Sequence, residues 1–387
     1  MINRIKEIIE RFVEYDYEQG IVLAWPGQGG PNITKGMGKD LCEKNLVAKS
    51  IMDCADKWLK ERPLPEQLPG NYTLSQHCWD DPMELLQKDT RISQLAAYTI
   101  GAIYLADYTG VKKWKPDKLF KFPKGKMPSA VTGMSVGLYA AAYAARVYNF
   151  YDGLELVFFR AMLMHREGEK PENKGKVLVL KIKPEDYGRI KDLCKKGTAR
   201  ITNRNAPDQI IIGGSDEDVD AFEAAAEKEN LLLAKKELAI GVVVHHPFMK
   251  EAAKDFGWIV EGDLVRWKLN NPRVPIIIDS SEDELSFEMT MAYEALILFP
   301  QQIDNPVFFA NVINRVNARG DVLLELGQGQ IITNLKKKAK PVERLTFRKA
   351  LILRMKERRR KGHITLNGFL FIMVSAIGRK HRIRTKH

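Results

Sequence analysis

The sequence predicts an α/β fold: a large domain built on a parallel sheet, a small βαββαβ domain inserted into it, and a basic C-terminal extension. Three observations carry this. "GIVLAWPGQGG" at 20–30 reads as a buried strand ending in a glycine turn, and similar stretches return late in the chain as "RVPIIIDS" and "DVLLELG". "VTGMSVGL" at 131–138 sets a serine between glycines, after an apolar segment and before a helical one. Between them, 174–239 reads as six elements, strands and helices in the order βαββαβ.

Residues 1–20 place Ile2, Ile5, Ile8, Ile9, Phe12 and Val13 on one helical face. Their many acidic neighbours argue against a cleavable presequence and for a docked surface helix. "LFKFPKGKMPSAVTGMSVGL" contains a strand and the serine turn, and "YAAAYAARVYNF" and "YDGLELVFFRAMLMHREGE" continue as helices. In the inserted block, "GKVLVLKI" is a strand and "KPEDYGRIKDLCKKG" a helix. "TARITNRN" and "QIIIGG" are strands joined by "APD". "SDEDVDAFEAAAEKEN" is a helix with Ser215 at its cap and acids in its first turn, and "LLLAKKELA" closes as a strand. The expected domains are 1–173 with 240–335, 174–239, and a tail, 336–387. "ITLNGFLFIMVSAIG" is too short for a membrane span and carries Asn367 and Gly368, so no transmembrane helix is expected.

The chain has 387 residues, 45% hydrophobic and 28% charged, enough apolar material for a substantial core. Its net charge of +12 misleads, because 336–387 alone carries +16 and the rest −4. The body therefore has no special attraction to polyanions. The tail is either a solvated extension or a contact for RNA phosphates or an acidic surface. Cys42, Cys54, Cys78 and Cys194 form no CxxC pair, so neither a zinc site nor a disulfide framework is indicated, and a reducing compartment is expected.

Gly133-Met134-Ser135-Val136-Gly137 fits G-x-S-x-G, a nucleophile elbow. The turn is so sharp that its flanks must lack side chains. In return the hydroxyl stands at a helix N-terminus, where the next backbone N–H can hold an oxyanion. A parallel sheet carrying such an elbow makes the large domain α/β-hydrolase-like, and the βαββαβ order makes the inserted domain ferredoxin-like. The serine needs a base. Of seven histidines, three lie in the tail, His77 sits in the polar, loop-like "LSQHCWDD", and His165 follows a helix. His245, in "GVVVHHPFMKEAA", ends an apolar run at a strand-to-loop boundary, where catalytic groups are commonly placed.

From about Gly20 to Leu335 the sequence resembles the malonyl-CoA:acyl carrier protein transacylases, in the mitochondrial-type, divergent form. "PGQGG…KGMGKDL", "GMSVGLY", "FFRAMLM", "NRNAPDQIIIGG", "VHHPFM", "QQIDNPV" and "LELGQGQIITNL" are similar to that family's motifs, in its order. The resemblance implies that Ser135 is acylated, with His245 as its base. It implies that the Gln302 carbonyl orients the imidazole and that the N–H groups of Gln28 and Val136 form the oxyanion hole. Arg160 would grip the free carboxylate of a malonyl group, and Gln94, Asn205 and Val244 would line the cleft. The implied reaction is ping-pong transfer from malonyl-CoA to the phosphopantetheine thiol of acyl carrier protein in fatty-acid synthesis, with no metal and no cofactor. A mitochondrial matrix or other reducing compartment is expected.

The chain departs from the family pattern at Met134, Leu138, Leu95, Gln328 and Val244. Val244 stands where a phenylalanine normally precedes the catalytic histidine and helps set acyl size. Two alternatives follow. A catalytically degenerate form would serve as an RNA- or ribosome-bound scaffold through 336–387, with affinity that falls steeply with salt. A Ser-His-Asp esterase would need an acid beside His245, and the sequence identifies none.

Overall fold

The computed structural model describes residues 20–29, 32–62, 68–262, 269–279 and 287–338. The N-terminal helix expected over 1–20 lies outside these residues but for Gly20, and so does the tail beyond Lys338. Among the described residues, nine strands form two sheets. The first holds β1 (Ile21–Trp25), β2 (Ala130–Gly133), β7 (Ile276–Ile278), β8 (Phe287–Met289) and β9 (Val322–Glu325) in the order β8-β7-β2-β1-β9. All its pairings are parallel except β7 with β8. Alternate residues serve opposite faces. Leu23, Trp25, Val131, Ile276 and Ile278 join one core, while Val22, Ala24, Ala130, Ile277 and Leu323 join another. Burial on both faces is why these strands read as unbroken apolar runs. β8 is only three residues at a sheet edge and left no signal in the sequence.

The second sheet holds β3 (Lys176–Ile182), β4 (Arg200–Ala206), β5 (Gln209–Gly214) and β6 (Leu232–Glu237), all antiparallel, in the order β4-β5-β3-β6. Its helices, Tyr187–Leu193 and Asp216–Lys228, place Ile190, Val219 and Phe222 with Leu178, Leu180, Ile210 and Ile212 in a separate core. The Ser215 side chain caps the second helix by accepting from the Asp218 N–H. Backbone bonds tie this unit to the larger sheet's surroundings: Arg204 N–H donates to Val307 O at 2.8 Å, and Val307 N–H to Thr202 O at 2.9 Å.

Three sequence expectations need correction. "LSQHCWDD" is not a loop. Leu74–Trp79 is a helix started by a capping box between Thr73 and Gln76, and His77 is buried with its Nε2 3.2 Å from Pro69 O. The polar letters hid a buried face formed by Leu74, His77 and Cys78. His165 lies inside the helix Phe150–Gly168, not after it. The basic tail does not begin at Lys336, because the helix Ile331–Lys338 runs through it. Ile332 and Leu335 anchor that helix in the core, and Lys336 Nζ donates to Asp321 O at 2.9 Å.

Candidate active site

β1 and β2 run side by side in the same direction, with Trp25 in register with Gly133. Their following loops therefore leave the same sheet edge together, the edge where open α/β sheets bind ligands. Met134 N–H donates to Trp25 O at 2.9 Å, which stitches the two exits. Ser135 follows with φ of 52°, a left-handed conformation that costs a non-glycine residue about 1–2 kcal/mol. The Gly137 N–H to Met134 O bond, 2.9 Å, holds the turn. A Cβ on Gly133 would strike the Gly137 backbone, and one on Gly137 would strike Trp25 O and Pro26 O. Gly137→Ala is therefore expected to destabilise the fold by about 3 kcal/mol, read as a lower urea midpoint. An unchanged midpoint would contradict this packing. Among the described residues, the N–H groups of Gln28 and Val136 meet no backbone or side-chain acceptor, which leaves both free for an oxyanion.

His245 comes from the loop before the short 3-10 turn Pro247–Met249 and is 110 positions from Ser135 in the chain. Its Nε2 lies 2.7 Å from Ser135 Oγ. Its Nδ1 lies 2.5 Å from the carbonyl of Gln302, in the last turn of the helix Ala292–Asp304. The last carbonyls of a helix lack intrahelical donors, so this one is available. A carbonyl can only accept, so Nδ1 carries the proton and Nε2 offers its lone pair to the serine hydroxyl. No carboxylate stands behind the imidazole among the described residues, which removes the esterase triad.

Arg160 projects from the helix Phe150–Gly168 and is fully buried. Its Nη2 donates to Ser135 Oγ at 3.4 Å, and its Nη1 donates to Gln94 Oε1. The Tyr139 ring lies 5.6 Å from the guanidinium. Among the described residues its hydrogen-bond partners are Gln94 and Ser135, with no carboxylate, and its Nε–H has no acceptor. A buried cation left unpaired is costly unless a ligand supplies the anion. Burial and the Arg160 charge hold the His245 pKa down to about 3, while the Gln302 carbonyl opposes them. The imidazole is thus neutral and ready to accept a proton at any ordinary pH.

Two outcomes follow from that depressed pKa. The acid limb of kcat/KM, which reports the free enzyme, is expected below about pH 5 rather than near 6.5. For stability, the unfolded chain binds a proton at His245 that the folded chain refuses. This contribution is complete above about pH 6.5 and is lost as pH falls toward 3. A kcat/KM limb at 6.5 would show that His245 is not held as described.

The structure thus brings Ser135, His245, Arg160, Gln94 and Gln302 together, with Gln28 and Val136 on the adjoining loops. Val244 is buried beside His245 in the main core. Asn205 makes no hydrogen bond to this cluster: its Nδ2 is 3.5 Å from Gln209 Oε1 across the β4–β5 hairpin. Met134 and Leu138, two of the departures, are buried core residues that pack on either side of the elbow. Sequence reasoning missed His246. Its Nδ1 accepts from Phe248 N–H at 3.1 Å, so its Nε2–H must donate to Thr198 O, 2.8 Å away in the small domain. Its only signal was its place beside His245.

A serine–histidine pair with no acid behind it suits passing an acyl group between a thiol and a hydroxyl, and on this fold it defines an acyltransferase. The chain belongs to the acyl transferase domain family, whose model matches residues 118–335. It is 28% identical over 322 residues to the malonyl CoA-acyl carrier protein transacylase of Bacillus subtilis, covering 82% of this chain and 90% of that one. It is 25% identical over 316 residues to a polyketide biosynthesis malonyl CoA-acyl carrier protein transacylase of the same organism, covering 81% and 95%. The solved malonyl-CoA:acyl carrier protein transacylase of Helicobacter pylori shares the fold, with a TM-score of 0.69 at 21% identity over 84% of this chain and 92% of that one. So does a type II PKS malonyl-transacylase solved in complex with its acyl-carrier protein, with a TM-score of 0.68 at 24% identity over 82% and 92%.

Proposed function

We propose that this chain moves a malonyl group from malonyl-CoA to the phosphopantetheine thiol of acyl carrier protein through an ester on Ser135. The observation that carries the reading is Arg160: a buried guanidinium, 3.4 Å from the nucleophilic oxygen, with no carboxylate partner among the described residues. A malonyl ester on Ser135 carries its free carboxylate one methylene beyond the ester carbonyl, where the planar fork can grip it. An acetyl ester has nothing to offer there.

The steps balance without a metal or redox group. Ser135 Oγ attacks the thioester carbonyl as His245 Nε2 takes the hydroxyl proton. The oxyanion falls to the N–H groups of Gln28 and Val136. The C–S bond breaks, and the histidine returns the proton to the coenzyme A thiolate. The acceptor thiol then attacks the ester and gives its proton to His245; the C–O bond to Ser135 breaks, and the histidine returns that proton to Ser135 Oγ. Pairing of the substrate carboxylate with Arg160 cancels part of the charge that depresses His245, so a bound malonyl group strengthens its own base.

The acceptor is supported by the relatives' names and by the fold-related carrier complex. Four free thiols suit a reducing compartment such as the mitochondrial matrix. RNA or ribosome contact through the tail rests on its charge alone; a truncation that tests it should end after Lys338, which completes a helix of the body. The functional reading is tested by mixing the protein with malonyl-CoA and holo acyl carrier protein and weighing the carrier. Malonyl-carrier is expected. An ester on Ser135 without transfer would make the acceptor wrong, and no ester would make the donor wrong.

A further inference from the structure

Thr90 opens the helix Thr90–Thr109 and is buried beneath the site. Asp89 caps that helix and clamps Arg91 through its carboxylate, so the first turn is fixed. From Arg160 outward the hydrogen bonds form one chain. A guanidinium only donates, so Gln94 must present Oε1 to it. Gln94 Nε2 then faces the other way and donates to Thr90 Oγ1 at 2.7 Å. The hydroxyl proton of Thr90 is left to donate to Gln28 Oε1, 3.3 Å away. Gln28 carries one of the two N–H groups assigned to the oxyanion, and Gly27 beside it approaches the elbow so closely that a Cβ there would press on Met134 O.

We propose that Thr90 is a positioning residue that holds the oxyanion loop at Gln28 in register with the Arg160 grip, so that one hydrogen-bonded chain sets both. The inference rests on the acyl-transfer reading of the site. It goes beyond that reading in linking carboxylate recognition to oxyanion stabilisation through a residue that touches neither.

The test compares Thr90→Val, which keeps the shape and loses the hydroxyl, with Thr90→Ser, which keeps the hydroxyl. Three rates are read per folded molecule: Ser135 loading from malonyl-CoA, loading from acetyl-CoA, and labelling by a fluorophosphonate. The last needs the nucleophile and oxyanion donors but no carboxylate grip. Thr90→Val is expected to lower kcat about tenfold with both thioesters and to slow labelling about tenfold. Its KM should rise for malonyl-CoA alone. Thr90→Ser should restore every rate to within about threefold. Wild-type labelling by Thr90→Val, a loss confined to malonyl-CoA, or equal loss in Thr90→Ser would each overturn the proposal. So would a lowered melting temperature with unchanged rates, which marks a merely structural residue. If the wild-type protein takes the fluorophosphonate and neither thioester, the substrate reading has failed while the labelling comparison still decides the role of Thr90.

Discussion

Ser135→Ala is expected to abolish the malonyl adduct seen by intact mass after incubation with malonyl-CoA, and to lower transfer by about 10⁴-fold or more. The reason is the direction of one proton. The Gln302 carbonyl fixes the histidine tautomer, so the basic nitrogen has one protein partner, the Ser135 hydroxyl at 2.7 Å. With that oxygen gone the imidazole has nothing to activate, and among the described residues no other side chain bonds to it. The fold should barely register the change. The left-handed backbone at 135 is held by glycines and backbone bonds rather than by the hydroxyl, so the urea midpoint should reflect no more than about 1 kcal/mol. An adduct that survives in Ser135→Ala would put the acyl group on another residue and end the assigned mechanism.

Arg160→Met separates activity from stability, and the two should move independently. Loss of the charged grip is expected to cut malonyl loading by about 10²–10³-fold while acetyl loading stays near wild type. Stability should hold or rise. The native guanidinium is buried with no carboxylate partner among the described residues, and replacing buried charge with an apolar side chain of similar volume is often neutral or stabilising, by about 1–4 kcal/mol. The unpaired Gln94 Oε1 left behind offsets part of that gain, by about 1–3 kcal/mol. Arg160→Ala should lose activity equally but also stability, because it leaves a cavity. A second readout follows from charge. Without the guanidinium the His245 pKa rises toward 6.5, and the acid limb of kcat/KM for acetyl-CoA should move up with it. Equal loss of acetyl and malonyl loading would contradict the carboxylate role.

Much of this site is legible in the amino-acid sequence alone. The elbow announces itself because two backbone segments approach too closely for any residue but glycine, and that constraint is local. The strands of the large sheet announce themselves because both faces are buried. The strands of the small domain and its capped helix, Asp216–Lys228, alternate at short range. What failed to show were features with weak or misleading local patterns. β8 is too short to have a pattern. The helix around His77 wears polar letters on its exposed side. The helix Ile331–Lys338 ends in lysines that look like the start of a tail.

The sequence by itself determined which serine sits on a glycine-flanked elbow and most of the segments that build the two sheets, because these follow from sterics and periodicity within a few residues. The sequence also pointed to His245 and, through the resemblance, to the Gln302 carbonyl, but only the tertiary structure decided at what distance and in which hydrogen-bond direction they meet Ser135. A helix-end carbonyl at Gln302 fixes a histidine 57 positions away, and a threonine at 90 links Gln94 to Gln28. Such partners are chosen by where the chain returns in space and by which atom still has a lone pair or a proton to offer. Neither leaves a mark on the neighbouring letters.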